Sequence, residues 1–292
     1  MRHERGLQAW MARQGMTWEH LPYVRPEAGG KTDAYLLAPA RPPHALVVFA
    51  HGAGNDALFP QVNLFRALLL AGYAVWTFDL DGHGRRSTTR FDPAIIHGAV
   101  PDAVKHARAV YPELPVHLLC QSFGGDVALG AMVRGTLPEV ASVVLLSTPL
   151  HVRPTARTVA FEVAGFCTPL CLSQRRDYGL WGLVPAFGRF KRDVYPIRLA
   201  HTPRGSWDYV GAVNDTIAGA GLPESARRVH VPTLLVYGTR DWIVPLAQGR
   251  ALREQLPCSE LLILPRETHY TTVFSPDTER AILRWFGEHQ PA

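Results

Sequence analysis

The hydrophobic positions of this chain fall into short, nearly unbroken runs separated by longer stretches of mixed polarity. Ala45–Ala50, Tyr73–Phe78, Val116–Cys120, Ala141–Leu146 and Pro232–Tyr237 are apolar at almost every position. A strand exposed on one face alternates, whereas a strand covered on both faces is apolar throughout. These runs are therefore expected at the centre of a sheet. Between them, apolar residues recur at helical spacing, over about 59–71, about 93–110 and from Asp126 to Arg134. Farther on, the pattern predicts a helix over 245–255, a strand over 260–264 and a last helix over 275–286. Alternation of this kind predicts an α/β fold, with a mainly parallel sheet and helices on both faces. Upstream, residues 17–24 and 32–38 read as two short strands around a turn bearing Pro and Gly.

The rhythm breaks between 150 and 228. Pro154, Pro169, Pro185, Pro196 and Pro203 cut this stretch into short pieces rich in aromatics and arginines. It reads as an inserted, mainly helical cap, with 1–149 and 229–292 forming the core. Apolar residues from Phe161 to Phe190 fit either a substrate tunnel or the cap's own small core. Arg175, Arg176, Arg189, Lys191 and Arg192 fit a solvated basic face, or a surface that attracts an anionic head group. No single helix joins an apolar face to a basic one, so membrane-surface contact through the cap is left open.

Composition changes this picture little. Hydrophobic residues make up 47% and charged residues 19%, as in globular proteins. The net charge of +5 is almost wholly arginine, since lysine occurs only at 31, 105 and 191. The arginines are dispersed and no nucleic-acid-binding motif accompanies them, so nucleic acid is not expected as a partner. Cys120, Cys167, Cys171 and Cys258 form no disulfide framework, and no His or Cys group near Cys167 completes a metal site. Reduced thiols and no metal are expected. No apolar run reaches the ~20 residues of a membrane helix. Residues 1–15 carry charges and lack a leader's apolar core, so a cytoplasmic location is expected.

Candidate chemistry centres on Cys120-Gln121-Ser122-Phe123-Gly124-Gly125. An apolar strand runs into a serine, and glycines lead into a helix. Such a strand–turn–helix presents its apex side chain on a strained backbone, which small flanking residues must permit. Gly124 meets that need, while Cys120 stands where a glycine is usual. A serine hydroxyl becomes a competent nucleophile only beside a base, and the base needs a carboxylate to orient it. Asp241 follows the 232–237 strand and His269 follows the 260–264 strand, so both fall on the sheet edge where Ser122 sits. A loop aspartate alone is usually a turn residue, and a lone histidine is usually structural. All three after successive strands, in the order Ser, Asp, His, point to a triad. Oxyanion donors are expected from the amide of Phe123 and, in His51-Gly52-Ala53-Gly54 after the 45–50 strand, from that of Ala53. His51 and His83 are expected to brace loops.

Together, His51-Gly52-Ala53-Gly54, Asp79-Leu80-Asp81-Gly82-His83-Gly84, the serine turn, Gly238-Thr239-Arg240-Asp241 and the His269 loop resemble the α/β-hydrolases. The likeness is to serine hydrolases of the monoacylglycerol lipase and lysophospholipase type, also grouped as serine aminopeptidase S33, and it covers nearly the whole chain. The chain departs from the pattern at Cys120 and at Arg86, an extra arginine before Ser87. The resemblance implies hydrolysis of carboxylic esters, with medium or long acyl chains held under the cap, and no cofactor. A thioesterase or acyltransferase would share the same acyl-enzyme. A non-catalytic binding protein on the same fold is the reading from another class.

Overall fold

The computed structural model describes residues 2–58, 62–84, 86–153, 206–221 and 225–291, with 155, 157 and 160 besides. Its strands are β1 (Thr17–His20), β2 (Tyr23–Arg25), β3 (Gly30–Thr32), β4 (Ala34–Ala38), β5 (Ala45–Ala50), β6 (Tyr73–Phe78), β7 (Val116–Gln121), β8 (Ser142–Leu146), β9 (Thr233–Gly238) and β10 (Ser259–Leu264). Eight of them form one sheet in the order β1-β4-β6-β5-β7-β8-β9-β10. The six strands from β6 to β10 along that order run parallel, and β4 and β1 complete one edge antiparallel.

Each apolar run is a strand with helices on both sides. In β5, Leu46, Val48 and Ala50 face one core, and Ala45, Val47 and Phe49 face the other. The first core is closed by α3 (Ala99–Val110), α4 (Phe123–Val133), α5 (Ser206–Gly219) and α6 (Leu246–Gln255). The second is closed by α1 (Arg2–Arg13), α2 (Val62–Leu70) and α7 (Pro276–Glu288). Because neither face meets water, alternation is lost and every strand position contributes burial, about 1.5–3 kcal/mol for each large aliphatic side chain.

Four elements differ from the sequence-based expectation. The expected strands over 17–24 and 32–38 each divide: β1 and β4 join the main sheet, while β2 and β3 pair as a separate hairpin. Pro22 has no amide to donate to a ladder, and the amide of Asp33 is taken by the Ser87 hydroxyl at 2.7 Å, so both chains leave the sheet there. The expected helix over 93–110 begins only at Ala99. Asp92 binds the Ala94 amide through its side chain and the Ile95 and Ile96 amides through its carbonyl, which holds a turn ahead of a short 3-10 segment. The N-terminal helix α1 was not anticipated, although Leu7 and Met11, one turn apart, are fully buried on the second core.

The stretch proposed as a cap, 150–228, is described only at its two ends; the apolar and basic residues named for it between 161 and 192 lie outside the described residues. Its C-terminal helix α5 packs on α4 and buries Val213 and Ile217 in the first core. The Asn214 side chain exchanges two hydrogen bonds with the backbone of Val152, at 2.8 and 2.9 Å, so the two ends of the stretch are tied together.

Candidate active site

At the carboxyl end of β7 the chain turns into α4 through Ser122, whose backbone lies at φ 48°, ψ −119°. An L-residue is strained there, and strain of this kind persists only where the surroundings over-determine it. The Ser122 amide donates to the Leu146 carbonyl on β8 at 2.7 Å, and the Ser122 carbonyl accepts the Gly125 amide at 2.8 Å. Gly124 is required: a Cβ there would lie 2.4 Å from the Ala50 carbonyl oxygen and 2.6 Å from that of His51. Cys120, the departure from the usual glycine, sits in the ladder between Ala50 and Leu145 and is fully buried in the first core. A small apolar side chain therefore fits that position, and burial pushes the thiol pKa upward, which keeps it unreactive.

The structure brings Ser122, His269 and Asp241 together. Ser122 Oγ lies 3.0 Å from His269 Nε2, and His269 Nδ1 lies 2.9 Å from Asp241 Oδ2. A carboxylate only accepts, so the Nδ1 proton points at Asp241 and the Nε2 lone pair is left facing the serine hydroxyl. Asp241 is fixed in turn: its Oδ1 accepts the amides of Ile243 at 3.0 Å and Val244 at 2.6 Å. Ser122 retains 8% of its surface exposure and His269 6%, so the hydroxyl is screened from bulk water without being sealed. Distances of about 3 Å at both ends of the imidazole are those required of a general base.

The loop after β5 approaches the serine from the other side. Gly52 stands so close to it that a Cβ would lie 3.3 Å from Ser122 Cβ. His51 braces this loop: Nδ1–H donates to the Gly52 carbonyl at 2.8 Å, and Nε2 accepts the Leu80 amide at 3.0 Å. Burial, with His83 beside it, lowers the His51 pKa to about 3, so the ring is neutral and can hold both roles. Phe123 is the first residue of α4, where an amide has no acceptor within the helix. Ala53 packs on the first core in the bend that follows Gly52.

Two charged arrangements around this edge were not anticipated from the sequence. Arg25, 2% exposed, donates to both carboxylate oxygens of Asp81 at 2.9 to 3.2 Å and also reaches Asp102 on α3. It ties the β2–β3 hairpin to the Asp79–Gly84 loop. Asp79 accepts the Ala57 amide and the Ser87 hydroxyl, both at 2.8 Å. Burial and the nearby Asp56 raise its pKa to about 8. Arg86 pairs with Glu4 at 3.1 Å and lies 3.8 Å from Asp33.

Asp126, one turn along α4 from Ser122, is completely buried, and neither carboxylate oxygen has a hydrogen-bond partner. Burial raises its pKa well above the ordinary range, so the folded state holds it neutral. The unfolded chain ionises there above the normal carboxylate pKa, so this group's contribution is full at acid pH and is lost as pH rises. Asp126→Asn is accordingly expected to melt above the wild type at pH 7, with the gap narrowing as the pH falls towards 4. Thermal unfolding of both proteins between pH 4 and 7 checks this, and a gap that does not change with pH would refute it.

Residues 41–176 match the family described as serine aminopeptidase, S33. The chain is 29% identical to human monoglyceride lipase over 149 residues, which spans 50% of this chain and about half (48%) of that protein. It is 26% identical over 275 residues to a pimeloyl-[acyl-carrier protein] methyl ester esterase of Neisseria meningitidis serogroup B, covering 83% of this chain and 92% of that one. Among solved structures, a soluble variant of monoglyceride lipase from Saccharomyces cerevisiae superposes with a TM-score of 0.67 at 16% identity, over 94% of this chain and 96% of that one. Sheet order, strand-end chemistry and these likenesses lead to one conclusion: the chain has the α/β-hydrolase fold and is similar to serine hydrolases of the monoacylglycerol lipase type.

Proposed function

We propose that this protein hydrolyses carboxylic esters through Ser122, His269 and Asp241 by way of an acyl-enzyme. The observation that carries the reading is the continuous relay from Ser122 Oγ to His269 Nε2 at 3.0 Å and from His269 Nδ1 to Asp241 Oδ2 at 2.9 Å, set on a strained strand–helix turn. His269 Nε2 takes the hydroxyl proton as Oγ attacks the ester carbonyl, and the carbonyl electron pair moves onto oxygen. The amides of Phe123 and Ala53 receive that oxyanion. As it collapses, the bond to the alkoxy group breaks and His269 Nε2–H protonates the departing alcohol. Water, deprotonated by His269, then attacks the acyl-Ser122 carbonyl, and the acid leaves as Nε2 returns the proton to Oγ. Asp241 stabilises the imidazolium in both halves and stays ionised.

The substrate class is a medium- or long-chain acyl ester, of the monoacylglycerol or lysophospholipid kind, with 150–228 acting as a cap over the acyl chain. Relatives named as monoglyceride lipases and as a methyl ester esterase support an ester rather than an amide or thioester. Among the described residues no helix is long and apolar enough to cross a membrane, and a cytoplasmic location is part of the proposal. The test is a series of p-nitrophenyl esters from C4 to C16 set against acyl-CoA thioesters of equal length. Ester turnover with kcat/KM peaking at C8 or beyond is expected. A strong preference for the thioester would replace the ester reading, and binding without turnover of any substrate would favour a non-catalytic role.

A further inference from the structure

We propose that Asn55 and Gln121 form a positioning pair that sets the separation of the two oxyanion donors. The inference rests on the serine-esterase reading above. The last ladder pair joining β5 to β7 is Ala50 with Cys120. Beyond it the two chains part: one becomes the loop that carries Ala53, the other the turn that carries Phe123. The Asn55 side chain spans the gap, its Nδ2 donating to Gln121 Oε1 at 3.2 Å. Both residues are almost completely buried, at 3% and 2% exposure.

The geometry on either side makes this bond a setting of distance rather than a surface contact. The Asn55 amide donates to the Gly52 carbonyl at 3.1 Å, which closes the bend holding Ala53 and Gly54. Asn55 Nδ2 lies 3.3 Å from where a Gly52 Cβ would stand, so the side chain is wedged against the loop backbone. Gln121 is the last residue of β7 and immediately precedes Ser122, so its side chain is anchored one residue before the turn. His51 fixes the far side of the same loop to Leu80. The Asn55–Gln121 bond thus ties the loop to the serine turn while His51 ties it to the loop that follows β6. Full negative charge on the oxyanion exists only along the reaction path, so misplacing one donor weakens the transition state more than the bound ester.

Steady-state hydrolysis of p-nitrophenyl esters by Asn55→Ala, Gln121→Met and the double variant tests the pair. Each single change is expected to lower kcat by about 10–100-fold with KM within about two-fold. The double variant is expected to be no worse than the poorer single, because both remove one interaction. Gln121→Glu keeps the acceptor oxygen and is expected to recover most of kcat. Thermal unfolding confirms that each variant is folded before its kinetics are compared. Unchanged kcat in folded variants, losses that multiply in the double, or an effect confined to KM would overturn the pair while leaving the esterase reading intact. A wild type that turns over no ester and is not labelled at Ser122 by a fluorophosphonate would overturn both.

Discussion

Ser122→Ala is expected to lower ester kcat by about 10⁴- to 10⁶-fold. The variant removes the atom proposed to attack the carbonyl, Ser122 Oγ, and leaves His269 and Asp241 paired at 2.9 Å. Stability should change little, by about 1 kcal/mol or less, because what is lost is one hydrogen bond to Nε2. Both backbone bonds that hold the turn, to Leu146 and Gly125, survive the substitution. Treatment with a fluorophosphonate, with the adduct located by mass spectrometry, separates loss of chemistry from loss of fold. Labelling at Ser122 in the wild type and none in a folded variant is expected. Retained turnover in the variant would remove Ser122 from the mechanism.

Gly124→Ala is expected to be more damaging than its one added carbon suggests. The new methyl would sit 2.4 and 2.6 Å from two backbone carbonyl oxygens, those of Ala50 and His51. A flexible side chain could rotate away from such a clash, but these carbonyls belong to the end of β5 and to the loop that carries Ala53. Either the turn lifts off the sheet or the loop moves, and both displace a proposed oxyanion donor. A loss of about 3 kcal/mol or more, beyond ordinary overpacking, is expected, together with activity near that of Ser122→Ala. Gly287→Ala, in the last turn of α7 with open space around it, serves as the control and should be neutral or slightly stabilising. Urea unfolding measures both. A Gly124→Ala protein of normal stability and activity would show that the turn has slack this structure does not display.

Much of the architecture was legible in the chain because burial on two faces leaves a local signature. β5, β6, β7, β8 and β9 are each a continuous apolar run, and a parallel sheet under helices is the arrangement that needs such runs. Ser122, Asp241 and His269 were legible for a related reason. Each follows a run, and in a parallel sheet everything that follows a strand collects on one edge. Amphipathic and polar contacts left weaker marks. The apolar stripe of α1 is short and set among charges, so its burial of Leu7 and Met11 is visible only once the second core exists to receive them.

By itself, the sequence determined the strand order in time, the class of fold and which residues stand at the strand ends, since these depend on periodicity within a few residues. The tertiary structure alone decided that one predicted strand pair divides between a sheet and a hairpin, and that Arg25 crosses to Asp81 and Asp102. It decided likewise that Asn55 meets Gln121 and that His269 comes to lie between Ser122 and Asp241 at hydrogen-bonding distance. The physical reason is range. A hydrophobic pattern is set by the next turn or the next strand residue, whereas a side-chain hydrogen bond across 66 or 147 positions depends on where two loops end after the whole sheet has closed.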